Sequence, residues 1–148
     1  MNQDNSTDKA EITKGYYESG ALWYDIPYVK GKRHGMGKVY YESGALQYET
    51  PYVNGVMHGI TKDYYRSGAL MCETPYVNGV MHGITKGYYE SGALERETPH
   101  ENGEKHGIER GYEIDTPNIA HLTLYNRNRK VLSLYKNLIY KDINHDSR

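Results

Sequence analysis

Tyr40-Tyr41-Glu42-Ser43-Gly44-Ala45-Leu46 returns almost unchanged as Tyr64-Tyr65-Arg66-Ser67-Gly68-Ala69-Leu70. The same Tyr-Tyr-x-Ser-Gly-Ala-Leu pattern stands at 16–22 and 88–94, so four copies keep a spacing of 24 residues. The units that begin at Tyr40 and Tyr64 agree at twenty of twenty-four positions. A fixed period of this length means stacked supersecondary units, each too small to bury a face alone. Tyr112 continues the phase, and Glu11-Ile12-Thr13-Lys14-Gly15 reads as the tail of a preceding unit.

Each unit carries two turn signals. Glu18-Ser19-Gly20 separates Tyr16-Tyr17 from Ala21-Leu22, and a three-residue loop with glycine last suits a hairpin that ends in a left-handed residue. Gly20, Gly44, Gly68 and Gly92 recur there because glycine takes positive φ without a Cβ clash. Gly55, Gly79 and Gly103, each after an asparagine, mark the second turn, with Lys30-Gly31 as its variant. Asn-Gly is a strong two-residue hairpin signal. Pro27, Pro51, Pro75 and Pro99 come shortly before it and remove a ladder donor. The expected fold is all-β: an elongated single-layer antiparallel meander of stacked hairpins, about 50 Å long at the usual strand spacing.

Simple alternation from a Tyr17–Ala21 pair assigns the faces. One carries Ile60, Lys62, Tyr64 and Leu70, and the other Tyr65, Ala69 and Glu73. The first, with three large side chains per unit, is expected to be the buried side.

Residues 40–59 resemble the MORN repeat, and more narrowly the bacterial variant found in antitoxin- or immunity-type proteins. That pattern runs Tyr-Tyr-x-x-Gly-x-Leu and then Tyr-x-Asn-Gly-x-x-x-Gly. The resemblance covers about 11–112, with units near 16–39, 40–63, 64–87 and 88–111. It implies a hairpin array that serves as a protein-interaction platform, in some members linked to phosphoinositides and in others to self-association. Repeat identity fixes fold far better than partner.

Composition narrows the function classes. Hydrophobic residues are 37% of 148 and the mean hydropathy is −0.86, figures that alone suggest disorder. Seventeen tyrosines argue for a fold built on amphipathic rings. A net charge of −1 lacks the basic excess that nucleic-acid binding needs, and it makes anionic-membrane binding an unfavoured alternative. With one cysteine, no leader-like apolar segment and no 18-residue apolar run, a cytoplasmic location is expected.

The repeated histidines, His34, His58, His82 and His106, invite a metal reading. Equivalent residues in neighbouring hairpins sit roughly 10 Å apart, however, too far to share one ion. Each is expected to tie down the strand beside its own Asn-Gly turn, and no metal or cofactor is expected. Asp25, Glu49, Glu73 and Glu97 form a carboxylate ladder balanced by Lys14, Lys38, Lys62, Lys86 and Arg110, a solvated face of alternating charge. Cys72 fills the slot of Tyr24 and Tyr48, which makes it a packing or surface residue. No catalytic constellation stands out.

The tyrosine pairs are expected to hold the thin sheet together by ring contacts. Val56, Met57, Val80 and Met81 put apolar residues on two adjacent turns where charge is usual, as in Glu104-Lys105. With Trp23 and Met71 as outliers of the same surface, they are the candidate site for a protein partner. A toxin neutralised by occlusion is the most specific case, and homodimer packing is the alternative. Residues 1–10 read as a mobile tail. Residues 113–148 read either as a decayed repeat, with 140–146 echoing Tyr-Val-Asn-Gly, or as a helical cap in which Val131, Leu134, Tyr135, Leu138 and Ile139 keep helical spacing.

Overall fold

Both kinds of turn form where glycine and asparagine allow positive φ. Tyr17 N–H donates to Ala21 O and Gly20 N–H to Tyr17 O, both at 2.9 Å, and this geometry repeats in every copy. Asn54 and Gly55, at φ 51° and 95°, make the second turn with both central residues left-handed, which matches the twist of the flanking strands. Lys30 and Gly31 adopt the same conformation, as do Arg127 and Asn128.

The computed structural model describes residues 10–114 and 116–136. The first unit holds β1 (Glu11–Tyr16), β2 (Leu22–Val29) and the two-residue β3 (Lys32–Arg33). The second holds β4 (Gly35–Tyr40), β5 (Leu46–Val53) and β6 (Val56–Met57). The third holds β7 (Gly59–Tyr64), β8 (Leu70–Val77) and β9 (Val80–Met81). The fourth holds β10 (Gly83–Tyr88), β11 (Leu94–Glu101) and β12 (Glu104–Lys105). The last holds β13 (Gly107–Tyr112), β14 (Ile119–Asn126) and β15 (Arg129–Tyr135). All pair antiparallel in one open sheet of order β1-β2-β4-β5-β7-β8-β10-β11-β13-β14-β15, as the repeat period implied. The short strands attach to β2, β5, β8 and β11.

Proline and the His-Gly step interrupt the ladder together. His58 N–H donates to Pro51 O at 3.0 Å, and Gly59 then turns at φ 115° beneath the proline ring. In the last unit Leu124 replaces the proline and no His-Gly follows, so β14 and β15 stay paired at six positions, with a bulge at Val131 where Leu124 pairs with Leu132 but Tyr125 with Lys130. The helical spacing of Val131, Leu134 and Tyr135 therefore falls on a strand. The tail expected over 1–10, Ala10 apart, and the echo at 140–146 lie outside the described residues.

The face assignment needs correcting. Tyr64 pairs with Leu70 but Asp63 pairs with Cys72, so Met71 is an extra residue in a β-bulge, repeated at Trp23, Gln47, Glu95 and Ala120. The bulge shifts parity by one and brings Glu73 onto the face of Ile60, Lys62 and Tyr64. That face is the more exposed one. Ile60 is 49% accessible, whereas Thr50 and Thr98 on the opposite face are 4% accessible. Among the described residues Val39 is the only buried hydrophobic side chain. The covered side is thus a threonine face, narrow enough that Gly37 leaves room for the Tyr52 ring 3.2 Å from where its Cβ would stand.

The tyrosine pairs join the units, by hydroxyl rather than by ring. Tyr40, Tyr64, Tyr88 and Tyr112 donate backwards to Asp25, Glu49, Glu73 and Glu97 at 2.8–3.3 Å. Tyr17, Tyr41, Tyr65 and Tyr89 donate forwards to the backbone carbonyls of Tyr40, Tyr64, Tyr88 and Tyr112 at 2.7–3.0 Å.

Candidate interaction surface

Register turns the repeated columns into continuous rows across the exposed face. One runs Lys14, Asp25, Lys38, Glu49, Lys62, Glu73, Lys86, Glu97, Arg110, with each residue the cross-strand partner of the next. Sign alternates at every step, which favours each pairing and leaves no strip of one charge. Lys62 Nζ lies 3.9 Å from Glu73 Oε1. The carboxylate ladder thus has a second duty beyond solvation, since the same groups accept the tyrosine hydroxyls. Burial, and then the hydrogen bond and charge of Glu49 or Glu73, push Tyr64 and Tyr88 up to about 12.

Beside the charged row lies an apolar one. Met36 pairs with Pro51, Ile60 with Pro75, Ile84 with Pro99, and Ile108 with Leu124. Met36, Ile60, Ile84 and Ile108 are all exposed. At the turn ends Val53 pairs with Val56 and Val77 with Val80, and these four are exposed too.

The structure divides the candidate residues between surfaces. Val56 and Val80 are exposed at the turns and stand against the glycines of the following ones: a Cβ on Gly79 would be 3.8 Å from Val56, and one on Gly103 3.3 Å from Val80. Met57 and Met81, the next residues along, are half-buried and pair with Tyr52 and Tyr76 in register with the threonine face. Trp23 and Met71 are exposed at bulges in different units, and Trp23 packs on Tyr24 and Tyr17 with ring centroids at 5.3 and 6.0 Å.

The histidines also differ from expectation. The backbone of His58 closes its own hairpin, but its ring Nδ1 accepts from Asn78 N–H of the following turn at 3.4 Å. His34 reaches Asn54 N–H in the same way at 3.4 Å. With Gly79 N–H donating to Met57 O at 2.8 Å, the turns are tied to one another along the edge of the array. Among the described residues no group of three or more His, Cys, Asp or Glu is placed to hold a metal ion.

Cys72 is half-buried beside Thr74 Oγ1 at 3.6 Å, and burial raises its thiol above the ordinary range, the opposite of an activated nucleophile. Glu109 is the one buried carboxylate among the described residues. Burial works to raise it, but hydrogen bonds from Thr98 at 2.8 Å and Lys105 at 3.2 Å overcome that and hold it below the usual range.

Sequence reasoning missed the end of both rows. Arg110 pairs with Leu122 and Leu122 with Leu134, while Leu124 pairs with Leu132. Leucine thus stands where the upstream units place Glu, Lys and Pro. With Ile108, these four leucines line an apolar cleft open to solvent. The signal was available: Leu134 lies 24 residues after Arg110 in the lysine column.

An open sheet of hairpin repeats, with two broad faces and its polar chemistry spent on joining units, defines a class of repeat protein. The chain belongs to the MORN repeat variant family, whose model matches residues 12–30, 33–54, 57–78 and 81–102, more than half of its length. That match identifies the repeat; the antitoxin or immunity association is no part of it. No curated protein sequence matches the chain. Among the described residues no helix is long and apolar enough to cross a membrane.

Proposed function

We propose that the chain is a non-enzymatic, cytoplasmic platform that binds another protein through its exposed face. The family suggests a non-catalytic repeat module of a kind that often binds membranes or proteins. The observation that carries the protein reading is the apolar row Met36, Ile60, Ile84 and Ile108, exposed at one residue per hairpin beside the valine pairs. Rows of this kind supply buried contact area to an interface. The adjoining row alternates in sign at every strand, which speaks for a protein partner over an anionic lipid surface. Neutralisation of a toxin by occlusion is the most specific form of this reading, and it rests on the resemblance of the repeat alone.

The test is affinity purification of the full chain from its native host, with mass spectrometry of what is retained. Val56→Lys with Val80→Lys is expected to remove a stoichiometric partner, and Met57→Lys with Met81→Lys, on the other face, to retain it. Circular dichroism checks that both variants fold. A partner that survives the valine change but not the methionine change would move the interface to the threonine face. If the partner arrests growth when expressed alone and the chain restores it, the toxin form stands; an inert partner removes it.

A further inference from the structure

We infer that Asp63, with the rings of Tyr48 and Tyr76, anchors a second binding site, one that takes a lysine or arginine side chain of another protein on the threonine face. It lies opposite the platform proposed above and does not depend on that reading. The units that begin at Tyr40 and Tyr64 differ at four positions, and two of those differences meet here. Tyr48 stands where the next unit has Cys72, and Asp63 where it has Gly87. Register sets Tyr48, Asp63 and Cys72 side by side on three successive strands. The column of Asp63 otherwise holds Gly15, Val39, Gly87 and Gly111, so this carboxylate belongs to one unit alone.

The carboxylate is half-buried and has no counter-charge. Among the described residues it makes no hydrogen bond and no ion pair. No fully enclosed side-chain oxygen among them lacks a partner, so the oxygens of Asp63 reach solvent. Burial pushes Asp63 up with nothing to oppose it. At Glu109 burial acts the same way, but Thr98 and Lys105 hold that group low. Burial also raises the phenols of Tyr48 and Tyr76, and the negative charge of Asp63 adds to it in both, which places the two rings close to the carboxylate. In this row the first lysine or arginine is Arg96, three strands away. That is about 14 Å at the usual strand spacing.

The same face shows what such a place accepts. Arg33 lies over the Tyr52 ring, 5.3 Å from its centroid, and donates to its hydroxyl at 3.3 Å. Lys105 lies 4.8 Å from the Tyr125 centroid and bonds Glu109 at 3.2 Å. In register Arg33 pairs with Tyr28 and Lys105 with His100, while between them Met57 pairs with Tyr52 and Met81 with Tyr76. Methionine thus replaces the cation in the two middle units, the ones that flank Asp63. A cation brought by a partner restores the arrangement, with ring attraction and a charge-assisted hydrogen bond together. The apolar stem of a lysine or arginine suits the half-buried Met57 and Met81, which a small free cation would leave unused.

The experiment titrates the isotope-labelled full chain by NMR with a blocked pentapeptide that has arginine at its centre among glycine and serine. Parallel titrations use the same peptide with lysine, the same peptide with neutral citrulline, and methylguanidinium as a free cation. The arginine and lysine peptides are expected to shift the amides of Tyr48, Asp63 and Cys72 to saturation, and the other two to leave them unmoved at the same concentration. Asp63→Gly and Tyr48→Cys each introduce the residue that the next unit already carries, so both keep the fold. Asp63→Gly is expected to weaken binding by about tenfold or more, the scale of a hydrogen bond to a charged group. Tyr48→Cys is expected to weaken it about threefold, the scale of one exposed ring contact. Glu42→Gln, at an exposed turn, should change nothing.

Citrulline binding as well as arginine, binding that survives Asp63→Gly, or no saturable shift would overturn the inference. So would methylguanidinium binding as tightly as the peptides, since that assigns the site to a small free cation. Purification from the native host with the valine variant tests the opposite face, so the two readings fail separately.

Discussion

Tyr64 donates its phenolic hydrogen to Glu49 Oε1 at 3.0 Å, and Tyr88 does the same to Glu73 Oε2. Burial and these acceptors raise both phenols from the ordinary value near 10 to about 12. The folded chain then holds these protons more tightly than the unfolded one. Their contribution to stability is complete below pH 10 and is lost as pH rises through about 12. Spectrophotometric titration should show two tyrosines ionising near 12, and urea midpoints should fall over that interval. Tyr64→Phe should lower stability by roughly 1–2 kcal/mol at pH 7 and flatten the alkaline fall, as expected for a hydrogen bond to a charged, partly exposed acceptor. The repeated tyrosines and carboxylates were legible as columns in the sequence. Their pairing was not, because Tyr64 and Glu49 are fifteen residues apart and meet only after two strands are laid side by side.

Each hairpin element is shaped by two breaks, one at the bulge and one at the proline. The His-Gly step beneath Pro51 depends on Gly59 holding φ 115°, and a Cβ there would stand 3.0 Å from the ring carbon of Pro51. The proline ring cannot swing aside as a flexible side chain would. Gly59→Ala should therefore cost about 1–3 kcal/mol in urea denaturation, from backbone strain and crowding together. Pro51→Ala in the same chain should recover only the crowding part. The glycines were readable because positive φ is a local demand. The bulge at Trp23, Gln47, Met71, Glu95 and Ala120 was not, since those five residue types share nothing that marks an inserted position. Missing it reversed the parity of Glu73 and placed burial on the wrong face.

The whole molecule is held by nearest-neighbour ties, so its stability should scale with the number of units. Deleting residues 64–87 joins Asp63 to Tyr88 and recreates every inter-unit bond: Tyr88 can reach Glu49, and Tyr41 can reach the Tyr88 carbonyl. That variant should fold, with the dependence of unfolding on urea reduced by roughly a fifth in proportion to the surface lost. A chain that failed to fold would mean that one unit is a nucleus the others cannot replace. At this scale the terminal hairpin stands apart. Its six-pair ladder, bulged at Val131 but without the proline break, and its leucines both follow from the loss of Pro, His-Gly and the charged columns in one stretch.

The period, the two turns per unit and the antiparallel hairpins follow from sequence alone, because glycine and asparagine act on their own φ and the repeat enforces the result four times over. Tertiary structure decided which face is covered, which carboxylate each tyrosine meets, which turn His58 caps and where the alternating row ends. Those outcomes depend on register between strands far apart in the chain, and a single bulged residue is enough to reverse a side chain's face.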